Sequence, residues 1–203
     1  MHHNILSENQ KDLLVTIKSF SKEYYLVGGT AIALYLGHRR SIDFDLFTYN
    51  NVRRKGIKNF LDSKKLKYSV LFEDSIQLHI ILNHVKITFF QYPFAIKANT
   101  KFDDIINLPS LLDLAAMKAY ALGNRSKWKD YVDLFFIFRL FSLTDVVKRA
   151  ERIFGEPFNA KLFRQQLAYF NDIDFSESIE YINEKPNENE IKSLLIDVAL
   201  EPF

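Results

Sequence analysis

The chain has 203 residues, 48% of them hydrophobic and 19 of them phenylalanine, with a formal net charge of +2 and no cysteine. That much apolar surface fills the core of one large domain or two small ones, which excludes a disordered chain and a disulfide-stapled scaffold. No early segment reads as a signal peptide, and the longest apolar patch, Leu134 to Phe138, stops at Arg139, so a soluble cytoplasmic protein without membrane spans is expected. The charge is unevenly spread: residues 171 to 203 carry nine acidic and two basic side chains, against 16 acidic and 25 basic before them. A basic body attracts the phosphates of nucleotides or RNA; the acidic tail reads as a solvated helix, a cover for that surface, or a site for a basic partner.

In chain order, Ser7 to Lys22 predicts an amphipathic helix, with Ser7 and Gln10 as a capping box and Leu13, Leu14, Ile17 and Phe20 as its apolar stripe. Tyr24 to Val27 reads as a short strand, broken by Gly28-Gly29 and followed by a compact helix from Thr30 to Leu36 that Gly37 closes. Ser41 to Thr48 has period two: Ile42, Phe44 and Leu46 point one way, Asp43, Asp45 and Phe47 the other. Two carboxylates on one strand face lie about 6 to 7 Å apart. At an effective dielectric of about 20 they repel by roughly 2 to 3 kcal/mol. A divalent cation removes that penalty, and magnesium held by one or two carboxylates plus substrate phosphates is the usual arrangement for phosphoryl transfer. The glycines fit the same chemistry, because backbone without Cβ approaches phosphate closely and the helix behind aims its positive end there. The alternative, a solvated edge strand beside an ordinary turn, runs against the apolar character of Tyr25, Leu26, Val27, Ile42, Phe44, Leu46 and Phe47.

Asn51 to Lys65 predicts a basic helix with Arg53, Arg54, Lys55, Lys58, Lys64 and Lys65 around a thin stripe of Val52, Ile57, Phe60 and Leu61. It reads as a solvated face or an RNA-contacting one. Three strands follow, Lys67 to Glu73, Ile76 to Leu82 and Val85 to Tyr92, with Asn83-His84 as a two-residue turn and Pro93 as terminator. That register sets His79 opposite Thr88. From Pro109 onward the pattern is helical: Pro109 to Gly123 carries Lys118, a second helix opens near Lys129-Asp130 and holds Asp133, and helices are expected at Leu143 to Phe154 and Phe158 to Phe170. Asn171 to Pro186 is irregular and acidic, and Asn187 with Glu190 caps a last helix.

Gly28, Gly29, Thr30 and Ala31 as G-G-T-A, then His38, Arg39, Ser41, Asp43 and Asp45 as H-R-x-S-x-D-x-D, resemble the nucleotidyltransferase toxins of the AbiEii/AbiGii abortive-infection type, minimal members of the DNA polymerase β-like superfamily. The resemblance continues at Lys118 and at Lys129-Asp130 with Asp133, and the element order is similar from about residue 5 onward. It implies an α/β fold with a nucleotidyltransferase core and mixed β-sheet over residues 1–98, and a helical domain over 99–203 packing over the nucleotide cleft. The implied reaction moves a nucleoside monophosphate from an NTP to an acceptor hydroxyl. Asp43 and Asp45 would hold Mg2+; Gly28, Gly29, Thr30 and Ser41 would cradle phosphate; Lys118 and Arg39 would neutralise it; Asp130 would position the triphosphate or the lysine. A toxin restrained by a separately encoded antitoxin is implied, with an RNA acceptor, tRNA among them.

The chain departs from that pattern at one position. Similar proteins carry a third acidic residue in a run like V-K-I-D, where this chain has Val85-Lys86-Ile87-Thr88. Three readings stand: a base supplied by metal or substrate, His79 acting in its place, or impaired catalysis. An exposed strand histidine is the simpler account of His79. Two other classes stay open as well, a catalytically impaired binding module and a metal-dependent phosphohydrolase, since Asp-x-Asp beside a basic pocket serves hydrolysis too.

Overall fold

The computed structural model describes residues 1–122 and 127–202. After a short turn at His3–Ile5, the order is α1 (Glu8–Lys18), β1 (Tyr25–Val27), α2 (Gly28–Leu36), β2 (Phe44–Thr48), α3 (Arg54–Ser63), β3 (Tyr68–Glu73), β4 (Gln77–Leu82) and β5 (Val85–Gln91). Then come β6 (Thr100–Phe102), β7 (Ile106–Leu108), α4 (Leu111–Leu122), α5 (Trp128–Phe138), α6 (Leu143–Phe154), α7 (Ala160–Leu167) and α8 (Glu188–Leu200). Five strands form one mixed sheet in the order β1-β2-β5-β4-β3, with β2 and β5 parallel and the other neighbours antiparallel.

Strand alternation divides the sheet into two chemically different faces. Phe44, Leu46, Ile87, Phe89, Leu78 and Ile80 are buried on one side, where Phe20 meets Phe89 and Phe60 edge-on at 5.0 and 5.2 Å. Each such side chain contributes roughly 1.5 to 3 kcal/mol over exposure, so the register of β2 and β5 is firmly set. The residues between them, Asp43, Asp45, Lys86, Gln77 and His79, are half-buried on the opposite side, and Thr88 is buried among them. That polar face carries the site. The helix α2 leads away from it and packs on α4 and α5, joining the sheet to the helical stretch.

Local signals explain most of the element ends. Ser7 and Gln10 form the expected capping box, Gly37 closes α2 with φ +64°, and the β4–β5 turn has positive φ at both Asn83 and His84, the type I′ pattern, without a glycine. Ser142 with Asp145 and Asn187 with Glu190 cap α6 and α8. Four expectations are corrected. Ser110, not Pro109, starts α4: its Oγ accepts the Asp113 N–H at 3.1 Å. Ile42 is 63% exposed, because regular pairing begins only at Phe44. β1 is an edge strand after all, and its outer side is screened by β7, to which it lies adjacent. That β6–β7 hairpin lies within residues 99–203, expected as a helical domain, in the stretch before Pro109 to which no element was assigned. Gly123, read as the end of the helix that carries Lys118, lies outside the described residues.

Candidate active site

The antiparallel pairing of β1 with β2 sets Val27 opposite Asp45, so the residue after Val27 is carried directly against that carboxylate. Gly28 has φ +72°, and a Cβ there would stand 2.2 Å from Asp45 Oδ2. Only glycine permits this approach. At Gly29 a Cβ would meet Arg39 Nη2 at 2.7 Å and Ser41 Oγ at 3.1 Å. Val27, the residue that precedes α2, offers no side-chain acceptor, so the leading N–H groups of the helix remain available to an anion. Thr30 donates its hydroxyl to the carbonyl of Asp43 and lies 3.0 Å from Ser41 Oγ, fastening the loop before β2 onto the helix start. Gly28, Gly29, Thr30, Ser41, Arg39, Asp43 and Asp45 are thus brought together.

Among the described residues, neither Asp43 nor Asp45 has an ion pair or a hydrogen bond to its carboxylate. Burial and the neighbouring Asp45 charge push the Asp43 carboxyl above its usual range, against the lowering pull of Lys86 and Lys129. Two partly desolvated carboxylates without a protein counter-ion could hold a cation that takes most of its ligands from elsewhere. No group of three or more His, Cys, Asp or Glu among the described residues gathers as a complete metal cage.

Lys118 and Asp130 lie behind this face, in a buried ion network. Lys118 Nζ lies 2.7 Å from Asp130 Oδ1 and 2.9 Å from Asp133 Oδ2. Arg39 donates to both oxygens of Asp133, from Nε at 2.7 Å and Nη2 at 2.9 Å, and His38 Nε2 is 2.8 Å from Asp133 Oδ1. All five residues are at most 6% exposed. With burial holding His38 toward its neutral form, the formal charges of Lys118, Arg39, Asp130 and Asp133 cancel. Burial alone would raise the Asp133 carboxyl; Arg39, Lys118 and the His38 hydrogen bond hold it well below its usual range instead.

Sequence reasoning had no means of finding the first of two further contributors. The irregular segment after α7 runs along the site loop: Arg40 N–H donates to the Glu180 carbonyl and Ile182 N–H to the His38 carbonyl. From it Glu177 reaches Lys127 and Lys129, and their hydrogen bonds bring its carboxyl down to about 2 against the opposing effect of burial. The resulting cleft, about 370 Å³, is lined by Arg39, Ser41, Asp43, Lys129, Glu177 and Glu180 among others. The second contributor is the row across the sheet: Asp45 pairs with Thr88, and Thr88 with His79, as the register requires.

No helix among the described residues is long and apolar enough to cross a membrane. Residues 12–97 match the family model described as nucleotidyl transferase AbiEii toxin, type IV TA system. A curated but uncharacterized protein of Aquifex aeolicus is 31% identical over 180 residues, covering 82% of this chain and 84% of that protein. In fold, the chain is similar to a putative nucleotidyltransferase from H. pylori, with a TM-score of 0.56 at 17% identity over 79% of each chain. It is also similar to MenT4, a nucleotidyltransferase toxin from Mycobacterium tuberculosis, with a TM-score of 0.59 at 12% identity, covering 95% of this chain and 82% of that one. The family match falls on the glycine turn and the aspartate strand, and the relative extends the likeness over most of the chain: this protein is a nucleotidyltransferase that belongs to the AbiEii toxin family.

Proposed function

We propose that the protein transfers a nucleoside monophosphate from an NTP to a hydroxyl of RNA, tRNA-like in kind, with Mg2+ as cofactor and with a cognate antitoxin as its biological counterpart. The observation that carries this reading is the close approach of the Asp45 carboxylate to Gly28 at the start of α2, which supports a cation held by the aspartates beside a phosphate held at the helix start. The two uncompensated carboxylates fit magnesium, which takes its remaining ligands from phosphate and solvent. When bound by Asp43 and Asp45, the ion supplies charge stabilisation to the phosphoryl group in transfer.

The chain's own groups do the rest. Backbone N–H groups at Gly28 and Gly29, with Thr30 and Ser41, bind phosphate oxygens. Arg39, lying against Gly29, adds fixed positive potential, and Asp133 keeps its guanidinium from turning away. Lys118 contributes charge from the other side of Asp133, oriented by Asp130. Lys86 and Lys129, the cations that act on Asp43, offset the triphosphate at the open side. Residues 99–203 close over the nucleotide. The RNA strand follows the hollow of about 420 Å³ lined by Arg53, Arg54, Lys55 and Lys58.

Incubation with each α-labelled NTP, magnesium and total cellular RNA tests this directly. Label is expected in RNA with wild type and not with Asp43→Asn, and expression of wild type alone is expected to slow growth. Label in protein or in a small molecule instead would refute the RNA acceptor while leaving nucleotidyl transfer intact. Release of phosphate with no labelled acceptor would point to the hydrolase reading.

Thr88 offers a separate check on the cation site. Because it sits beside Asp45 in the next strand, Thr88→Asp adds a third carboxylate to the pair. Half-saturation by magnesium is expected to fall by about 10- to 100-fold, the range over which supporting residues change metal affinity. A magnesium titration unchanged by the substitution would remove Asp45 from the cation site.

A further inference from the structure

The row of side chains that begins at Asp45 continues past Thr88 to His79, and His79 is held by an ordered hydrogen-bond chain. Asp74, in the turn between β3 and β4, accepts the N–H groups of Ile76 and Gln77 on Oδ1 at 2.8 and 3.0 Å, and Gln77 Nε2 on Oδ2 at 3.0 Å. This fixes the Gln77 amide with its oxygen toward the histidine, 2.8 Å from His79 Nε2. A carboxamide oxygen only accepts, so His79 Nε2 carries the proton and Nδ1 presents a lone pair. Phe72 packs edge-on against the ring at 5.8 Å. Among the described residues Nδ1 has no hydrogen-bond partner.

We infer that His79 is the general base of the transfer, occupying the role left vacant by Thr88, with Gln77 and Asp74 as positioning residues. The inference rests on the nucleotidyltransferase reading above. Adjacent strands are about 4.8 Å apart, so His79 stands one spacing from Thr88 and two from Asp45. An acceptor hydroxyl bound over this row at Thr88 is flanked by Asp45 on one side and by the imidazole on the other. The hydroxyl proton passes to Nδ1 as its oxygen forms a bond to the α-phosphorus. The bond from that phosphorus to the bridging oxygen breaks, and pyrophosphate leaves with the electron pair. The imidazolium then returns its proton to solvent.

The charged groups facing His79 are Lys86 from β5, Asp45 from β2 and Asp74 from the turn. Burial and Lys86 outweigh the two carboxylates and hold the ring below its usual value, so the neutral, basic form prevails at pH 7. A solvated histidine on an exposed strand would need neither a fixed tautomer nor the Asp74–Gln77 pair.

The test is the pH dependence of kcat for labelled transfer to RNA, from about pH 5 to 9, in wild type, His79→Gln, Gln77→Leu, the turn variant His84→Gln, and His79→Gln combined with Thr88→Asp. Loss of a general base costs about 10²- to 10⁴-fold in kcat. His79→Gln is expected to show that loss with little change in KM for NTP, and to lose the acidic limb of the profile. Gln77→Leu is expected to show a smaller loss and a displaced limb, and Thr88→Asp to restore turnover to His79→Gln. If His79→Gln keeps the rate and the limb of His84→Gln, the inference is overturned and the nucleotidyltransferase reading stands. A wild type that transfers nothing, with magnesium and every NTP supplied, overturns both.

Discussion

Asp45→Asn is expected to fold as the wild type does and to lose transfer activity by about 10³-fold or more, roughly 4 kcal/mol of transition-state stabilisation. The substitution is nearly isosteric and keeps the contact with Gly28, so the turn is undisturbed. The fold does not depend on the lost charge, because the Asp45 carboxylate has no partner among the described residues. Removing it relieves the repulsion that helps to raise Asp43. Thermal unfolding is therefore expected to be unchanged or slightly later while magnesium-supported transfer disappears. A folded Asp45→Asn protein with full transfer activity would sink the assignment of the cation site.

Asp133→Ala is expected to have the opposite profile, destabilising the whole protein by about 3 to 5 kcal/mol, the cost of removing one partner from a buried ion pair. Asp133 is fully buried and receives hydrogen bonds from Arg39 at two atoms, with Lys118 and His38 against the same carboxylate. Without it Arg39 loses both of its carboxylate hydrogen bonds, and Lys118 loses one of the two carboxylates it pairs with. Urea unfolding measures the loss; a midpoint within experimental error of wild type would mean that the network adds nothing to stability. The same residue sets a pH dependence. Its folded carboxyl titrates well below the unfolded one, near 3.9, so its stabilising contribution is present above that value and is lost as pH falls toward the folded pKa. Acid unfolding of wild type is expected to steepen below about pH 4, and that component is expected to vanish in Asp133→Ala.

The glycine turn and the aspartate pair were legible because each is written in neighbouring residues: a double glycine between a strand and a helix, and two carboxylates at period two. The register that joins His79, Thr88 and Asp45 also followed from local pattern, since one face of each strand is continuously apolar. The ion network was not legible in that way. Arg39 and Asp133 are 94 residues apart, and only the packing of α2 against α5 decides that Arg39 and Lys118 share their charge with Asp133. Glu177 carried no signal at all, because an acidic residue in an irregular stretch looks the same whether it is solvated or bonded to two lysines. Ile42 misled for a related reason: its parity matched the strand, but pairing had not yet begun.

The loop that bears Arg39 and Arg40 is clasped by a stretch of chain 140 residues further on, where Arg40 meets Glu180. Closing a loop of that size costs on the order of 4 kcal/mol in chain entropy, and contacts so distant in sequence form late in folding. The sheet and its aspartates can be in place early, but the cleft wall cannot be. During synthesis the aspartate strand therefore emerges well before the segment that walls the cleft, and the cleft is complete only once the chain has been made past Glu180.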